Sequence, residues 1–112
     1  LSLRRQRQMC IRDSLMHMKR TADRLFGQSY QWSILGAGRS QMSLAAQGAA
    51  QGANVRVGLE DSIWIAPGEL ACSNADQVRK ICQILTGLSL DIASPDEARA
   101  LLDLKGADDV NF

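Results

Sequence analysis

The sequence predicts an α/β protein in which parallel strands alternate with helices. Segments with the three- and four-residue apolar spacing of helices alternate with two short apolar runs that are typical of strands. The order is α-β-α-β-α-α, and such alternation favours a parallel sheet with right-handed crossovers. Because two strands cannot make a sheet buried on both faces, the pattern also indicates a piece of a larger α/β domain.

The first helix and strand follow from local spacing. Apolar residues between Leu15 and Phe26 recur on one helix face, and Gly27 stands where helices commonly end. Residues 30–35 alternate and then become apolar, which predicts a strand. The strand ends at the turn Gly36-Ala37-Gly38.

The remaining elements are predicted in the same way. Residues 41–51 form an alanine-rich helix, narrow enough to pack closely on a sheet, and residues 55–60 form the second strand. A loop over 61–73 precedes a third helix, whose apolar side runs from Val78 to Leu88. Ser94-Pro95-Asp96-Glu97 is a strong start for the last helix, with Leu101, Leu102 and Leu104 on its apolar face.

The composition excludes several classes of protein. The chain has 112 residues, of which 46% are hydrophobic and 22% charged, as in globular domains. No run approaches the roughly 18 apolar residues of a membrane helix, so no membrane partner is expected. The net charge is +1, but residues 15–112 carry −2, which argues against a nucleic-acid partner. Three cysteines without a CxxC motif favour a reducing, cytoplasmic setting and buried thiols.

Residues 1–14 differ from the rest of the chain. They contain four arginines against Asp13, show no apolar period, and lack the central apolar stretch of a signal peptide. They also resemble translated sequencing-adapter sequence. We therefore expect a non-native, disordered leader without contacts to residues 15–112, although a basic tail that binds nucleic acid is an alternative.

The glycine turn allows a nucleotide-binding interpretation. Gly36 and Gly38 lie between a strand and a helix, and Glu60-Asp61 follows the next strand, much as in a Rossmann-type dinucleotide-binding fingerprint. The third glycine of that fingerprint is replaced by Gln41. This weakens the interpretation, because that glycine allows the helix to pack closely on the strand.

A second interpretation rests on four segments in order. WSILGAGRSQ, VRVGLED, ACSNADQV and ASPDEARALL together resemble the β-keto acid cleavage enzymes, zinc-dependent enzymes related to 3-keto-5-aminohexanoate cleavage enzyme. The resemblance covers roughly residues 15–112. It implies a (β/α)8 TIM barrel of about 250 residues, of which this chain is the C-terminal part with the last two strands and their helices. It also implies a parent enzyme that forms a homo-oligomer.

The resemblance implies roles for specific residues. Glu60 would be a zinc ligand, Asp61 the general base, and Arg56 the residue that keeps Asp61 ionised and oriented. Zinc would polarise a β-keto acid, which would react with acetyl-CoA to give acetoacetate and a new acyl-CoA. Gly38 and Arg39 would bind a phosphate of CoA, because loops after the last barrel strands often bind phosphate, although Arg39 is equally well explained as a surface residue at the start of a helix.

The spacing around these residues sets two further expectations. Arg56 and Glu60 share one face of a strand and Asp61 lies on the other, so Asp61 joins them only if the strand bends or ends. The adjacent carboxylates repel each other unless a cation compensates.

A catalytic zinc needs three protein ligands and the resemblance assigns only Glu60, so this chain alone is expected neither to bind zinc nor to catalyse. A solvated, non-catalytic loop is the remaining alternative.

Overall fold

The computed structural model describes residues 2–111, with side chains from residue 11 to residue 111. Three-residue 3₁₀ turns at Gly38–Ser40 and Ala107–Asp109 supplement the regular elements. The helices and strands are α1 (Ser2–Phe26), β1 (Ser33–Leu35), α2 (Gln41–Ala49), β2 (Asn54–Arg56), β3 (Trp64–Ala66), β4 (Glu69–Leu70), α3 (Asn74–Gly87) and α4 (Pro95–Leu101).

The predicted parallel strand–helix–strand unit is confirmed. β1 and β2 pair in parallel, with Ile34 opposite Val55, and α2 connects them. Ile34 is buried under α2, whose Ala45 and Ala49 are also buried. A Cβ atom at Gly48 would lie 2.5 Å from Ile34 Cγ2, so the helix approaches the sheet closely because residue 48 has no side chain.

The second strand is shorter than the sequence predicts. β2 ends at Arg56, whereas the prediction continued it to Glu60. Residues 58–62 form a turn instead, in which the amides of Asp61 and Ser62 both donate to the Gly58 carbonyl at 3.2 Å. The loop predicted over 61–73 also contains a short antiparallel hairpin, β3–β4.

The segment that the sequence predicts to be a disordered leader has a helical backbone in the structure. Residues 2–14 belong to α1, which continues without a break to Phe26. No glycine or proline interrupts this segment, and its many Leu, Arg, Gln and Met residues favour helix. Residues 11–14 are exposed, and the first buried side chain of α1 is Leu15 among residues 11–26. That residues 1–14 are non-native stays a prediction.

The two C-terminal helices begin as the sequence predicts. Ser73 caps α3 by accepting from the Asp76 amide, and Ser94 and Glu97 form the capping box of α4. No residue of α4 is buried, and its predicted apolar face, including Leu101 and Leu102, is exposed.

The cysteines and the helices bear on two expectations from composition. Cys72 is exposed and Cys82 half-buried, so the expectation of buried thiols is wrong for Cys72. Cys72 lies just before the Ser73 cap of α3, in a connection at the surface rather than in a helix face. Within residues 2–111, no helix is long and apolar enough to cross a membrane.

An apolar groove of about 660 Å³ runs between α1 and β1. β1 pairs with β2 on one side, and within residues 2–111 no further strand joins this sheet. The groove therefore leaves apolar side chains of a short parallel sheet uncovered. Its lining includes Leu15, Met18, Trp32, Leu35 and Leu44.

Candidate functional site

The candidate site lies where the two parallel strands end. The loop after β1 and the turn after β2 meet through a hydrogen bond from the Gly38 amide to the Asp61 carbonyl oxygen, 2.8 Å long. Gly38 adopts a φ of +59°, a conformation that glycine enters without strain. The carboxyl ends of parallel strands are the usual position of binding sites in α/β proteins.

Arg56 contacts both carboxylates of the acidic pair. Its Nη2 donates a hydrogen bond to Glu60 Oε2 at 3.0 Å, and its Nε lies 3.3 Å from Asp61 Oδ2. The structure thus brings together the three residues that the resemblance assigns to catalysis and metal binding. In a regular strand, Glu60 and Asp61 would point to opposite faces. The strand ends at Arg56, and the turn over 58–62 lets both side chains reach Arg56.

The two carboxylates differ in their exposure. The Glu60 side chain is 82% exposed, whereas that of Asp61 is 17% exposed. Asp61 Oδ2 is buried and accepts no hydrogen bond. Its contact with Arg56 is therefore an ion pair without hydrogen-bond geometry. A carboxylate held beside a guanidinium is the type of group that can act as a general base toward a carbon acid.

Arg39 lies at the edge of this site. Its guanidinium carbon stands 5.0 Å from the centroid of the Trp64 ring, a cation–π arrangement that links the loop after β1 to the hairpin. The side chain is exposed, and Gly38 beside it supports the turn. The predicted phosphate-binding role of Gly38 and Arg39 stays a prediction.

Three side-chain amides bond the backbone of the site in a way that the sequence does not predict. Gln41 Nε2 donates to the Gly58 carbonyl at 3.0 Å, Asn74 Oδ1 accepts from the Leu59 amide at 2.8 Å, and Gln77 Nε2 donates to the Ser62 carbonyl at 2.6 Å. The available signal was weak. Gln77 stands on the buried side of a helix beside Ile81, where a polar residue needs a partner.

The residues present do not complete a zinc site. Glu60 and Asp61 are the carboxylates of the site, and Arg56 contacts both. His17 is exposed on α1, and the part of the chain that the structure describes contains no cluster of three His, Cys, Asp or Glu side chains suited to a metal ion. A catalytic zinc would need further ligands from outside these residues.

The fold and the site are those of an α/β protein with an Arg–Glu–Asp cluster at the ends of its parallel strands. Sequence comparison identifies the family. The family model of the β-keto acid cleavage enzymes matches residues 8–104. The chain belongs to the β-keto acid cleavage enzyme family. The match confirms the resemblance and includes residues 8–14, the end of the segment expected to be non-native.

Curated relatives carry related activities. The chain is 67% identical over 100 residues to "3,5-dioxohexanoate:acetyl-CoA acetone transferase" of Paraburkholderia graminis, covering 89% of this chain and 32% of that protein. It is 43% identical over 74 residues to "3-keto-5-aminohexanoate cleavage enzyme" of Fusobacterium nucleatum, covering 66% of this chain and 27% of that protein.

A third relative has a different substrate. It is "3-dehydrocarnitine:acetyl-CoA trimethylamine transferase" of Rhizobium meliloti, 36% identical over 76 residues that cover 68% of this chain and 25% of that protein. The chain therefore spans about a third or less of the length of these relatives. The alternative of a dinucleotide-binding fragment finds no support, since the matching family is a different one and Gln41 bonds the Gly58 carbonyl.

Proposed function

We propose that this chain supplies the general base of an enzyme that transfers an acyl group between a β-keto acid and acetyl-CoA. The observation that carries the proposal is the contact of Arg56 with both Glu60 and Asp61 at the carboxyl ends of parallel strands. The names of the relatives support the substrate class, because two of them contain acetyl-CoA and the named substrates carry a keto group at carbon 3.

The reaction begins with proton transfer to Asp61. Its carboxylate removes a proton from C2 of the β-keto acid, and the C–H electron pair becomes an enolate. Arg56 Nε contacts the Asp61 carboxylate at 3.3 Å and fixes its direction. Enolate C2 then attacks the thioester carbon of acetyl-CoA, and the thiolate of CoA leaves with the electron pair of the C–S bond.

The second half exchanges the acyl groups. The CoA thiolate attacks the original keto carbon, and the bond between that carbon and C2 breaks. The products are a new acyl-CoA and the enolate of acetoacetate, which recovers the proton held by Asp61. Every atom of the two substrates is retained, and no oxidant or reductant is consumed.

Zinc has no assigned step in this scheme, since the residues present do not complete a site for it. We propose that Glu60, the exposed carboxylate of the pair, contributes one ligand and that the others lie outside the described residues. The chain alone should then hold no stoichiometric zinc by metal analysis and form no acetoacetate. Tight one-to-one zinc binding that Glu60→Gln abolishes would contradict this expectation.

The parallel unit fits a place within a (β/α)8 barrel. The open apolar groove beside β1 and the exposed apolar face of α4 are surfaces that further elements of such a barrel would cover. Homo-oligomerisation of the parent enzyme and its cytoplasmic location stay predictions.

The activity can be tested in a chimera, in which this chain replaces the matching segment of the Paraburkholderia graminis relative. The chimera should form acetoacetate and acyl-CoA from a β-keto acid and acetyl-CoA. Asp61→Asn should lower kcat by about 10²- to 10⁴-fold, the usual contribution of a general base.

Asp96→Asn is the matched control for Asp61→Asn. Asp96 is also paired with an arginine, Arg99, but it lies on α4 away from the strand ends. This variant should keep the activity of the unsubstituted chimera. Equal activity of the Asp61→Asn and Asp96→Asn chimeras would refute the assignment of the base.

A further inference from the structure

The turn that carries the acidic pair is bonded on both flanks by side-chain amides. Before the pair, Gln41 Nε2 donates to the Gly58 carbonyl and Asn74 Oδ1 accepts from the Leu59 amide. After the pair, Gln77 Nε2 donates to the Ser62 carbonyl at 2.6 Å and to the Trp64 carbonyl at 3.4 Å. We name the side chains of Gln41, Asn74 and Gln77 the amide clamp.

Burial of the two clamp glutamines carries a free-energy cost for folding, because each leaves a polar atom unpaired. Gln41 is 1% exposed and Gln77 fully buried, yet the Oε1 atom of each is buried without a hydrogen-bond partner. An apolar side chain of similar volume would fill the same space without burying an unpaired Oε1 atom, but the backbone carbonyl that the glutamine bonds would lose that donor. The property that only the amide supplies at these positions is a directed hydrogen bond to the backbone of the turn.

The clamp joins the turn to two different helices. Gln41 is the first residue of α2, whereas Asn74 and Gln77 lie in the first turn of α3. Glu60 and Asp61 stand between the two sets of bonds, and Arg56 contacts them from the end of β2. Displacement of the turn would therefore change the distance from Arg56 to each carboxylate.

We propose that Gln41, Asn74 and Gln77 are positioning residues that hold Glu60 and Asp61 at their distances from Arg56. They act through the backbone of residues 58–64 and need not touch substrate. The catalytic consequence rests on the proposed function, whereas the effect on the turn itself does not. Loss of one clamp bond lowers kcat by about 10- to 100-fold, as is typical for groups that orient a catalytic residue, with little change in KM.

Asn74 provides the sharpest test, because its side chain is exposed and its replacement creates no cavity. Asn74→Ala removes the acceptor for the Leu59 amide. Asn74→Asp keeps an oxygen at that position, and the N-terminus of α3 favours its negative charge. In the chimera, Asn74→Ala should accelerate hydrogen exchange in the peptide that contains Leu59 and lower kcat, and Asn74→Asp should restore both. If Asn74→Ala exchanges and turns over as the unsubstituted chimera does, or Asn74→Asp is equally impaired, the proposal is overturned.

Gln77→Met and Gln83→Met form a second matched pair. Both replace a glutamine of α3 with a side chain of similar volume, but Gln83 is exposed and Gln77 bonds the turn. Only Gln77→Met should accelerate exchange across residues 62–64 and lower kcat. If both variants behave alike, the clamp does not position the turn. If the unsubstituted chimera is inactive, the proposed function fails, and hydrogen exchange still decides whether the clamp holds the turn.

Discussion

The strand–helix unit and the C-terminal segment use different means to hold their residues. In the unit, from β1 to α3, buried side chains such as Ile34 and Ala45 and the bonds of the amide clamp connect elements far apart in sequence. In the segment over 88–111, α4 has no buried residue and depends on its own capping box. The difference teaches that local signals suffice to form a helix and an ion pair within it, whereas the turn that carries Glu60 and Asp61 is held by bonds from other elements.

Among the variants that compare the two regions, the largest effect is expected at Arg56, which belongs to the strand–helix unit. Arg56→Met keeps much of the side-chain volume but removes the charge beside Glu60 and Asp61. It should lower kcat of the chimera by about 10- to 100-fold, as loss of an orienting partner does. Arg99→Met, which breaks the Asp96 ion pair of α4, should leave kcat unchanged. If both variants were impaired alike, the contrast between the two regions would be lost.

Disruption of the packing of α2 on β1 should have the next largest effect, a decrease in the free energy of unfolding. A Cβ atom at Gly48 would lie 2.5 Å from Ile34 Cγ2 and 3.0 Å from Ile34 Cβ, so the Ile34 side chain or the helix must shift to admit it. Gly48→Ala should lower the free energy of unfolding by about 1–3 kcal/mol, the usual cost of overpacking. Gly87→Ala, at the end of α3 with nothing within 4 Å, should leave it unchanged or raise it. Chemical denaturation of the two variants measures the difference, and equal stability would show that α2 is not packed as described.

The smallest expected effect is a pH dependence in the C-terminal segment. The backbone amide of Ser94 donates to Glu97 at 2.8 Å, and this bond holds the pKa of Glu97 below its ordinary value. The ionised carboxylate therefore stabilises the cap above the ordinary pKa, and this contribution is lost as pH falls through the lowered pKa. The protection factor of the Ser94 amide, which NMR gives as the intrinsic exchange rate at each pH divided by the observed rate, should fall on acidification.

Glu97→Gln is the control for the pH dependence. A glutamine can also complete a capping box, but it does not titrate. The acid-induced change at Ser94 should disappear in this variant. Persistence of the change would assign it to a group other than Glu97.

The sequence predicts those parts of the fold that local chemistry determines. The apolar spacing of β1 and α2, and the Ser94-Pro95-Asp96-Glu97 start of α4, are all found in the structure. The end of β2 at Arg56 was missed, because the alternation of residues 55–60 fits a strand equally well until the turn over 58–62 is seen. The helical state of residues 2–14 does not follow from the sequence pattern, because this segment has no apolar period that would mark a packed helix.

The candidate site divides in the same way. Arg56, Glu60 and Asp61 were identified from a motif, and the structure brings them together, although their chemical roles stay proposals. The amide clamp could not be predicted, since Gln41 and the turn that it bonds are 17 residues apart. Sequence spacing cannot reveal which backbone carbonyl a buried glutamine meets when the partner lies on another element.

The central claim is that Asp61 removes the proton from C2 of a β-keto acid. The most direct measurement is exchange of the C2 protons for deuterium in the chimera without acetyl-CoA, so that no carbon–carbon bond breaks. The account predicts exchange faster than the spontaneous rate, reduced to the spontaneous rate by Asp61→Asn and unaffected by Asp96→Asn. Exchange in the Asp61→Asn chimera as fast as in the unsubstituted one would contradict it.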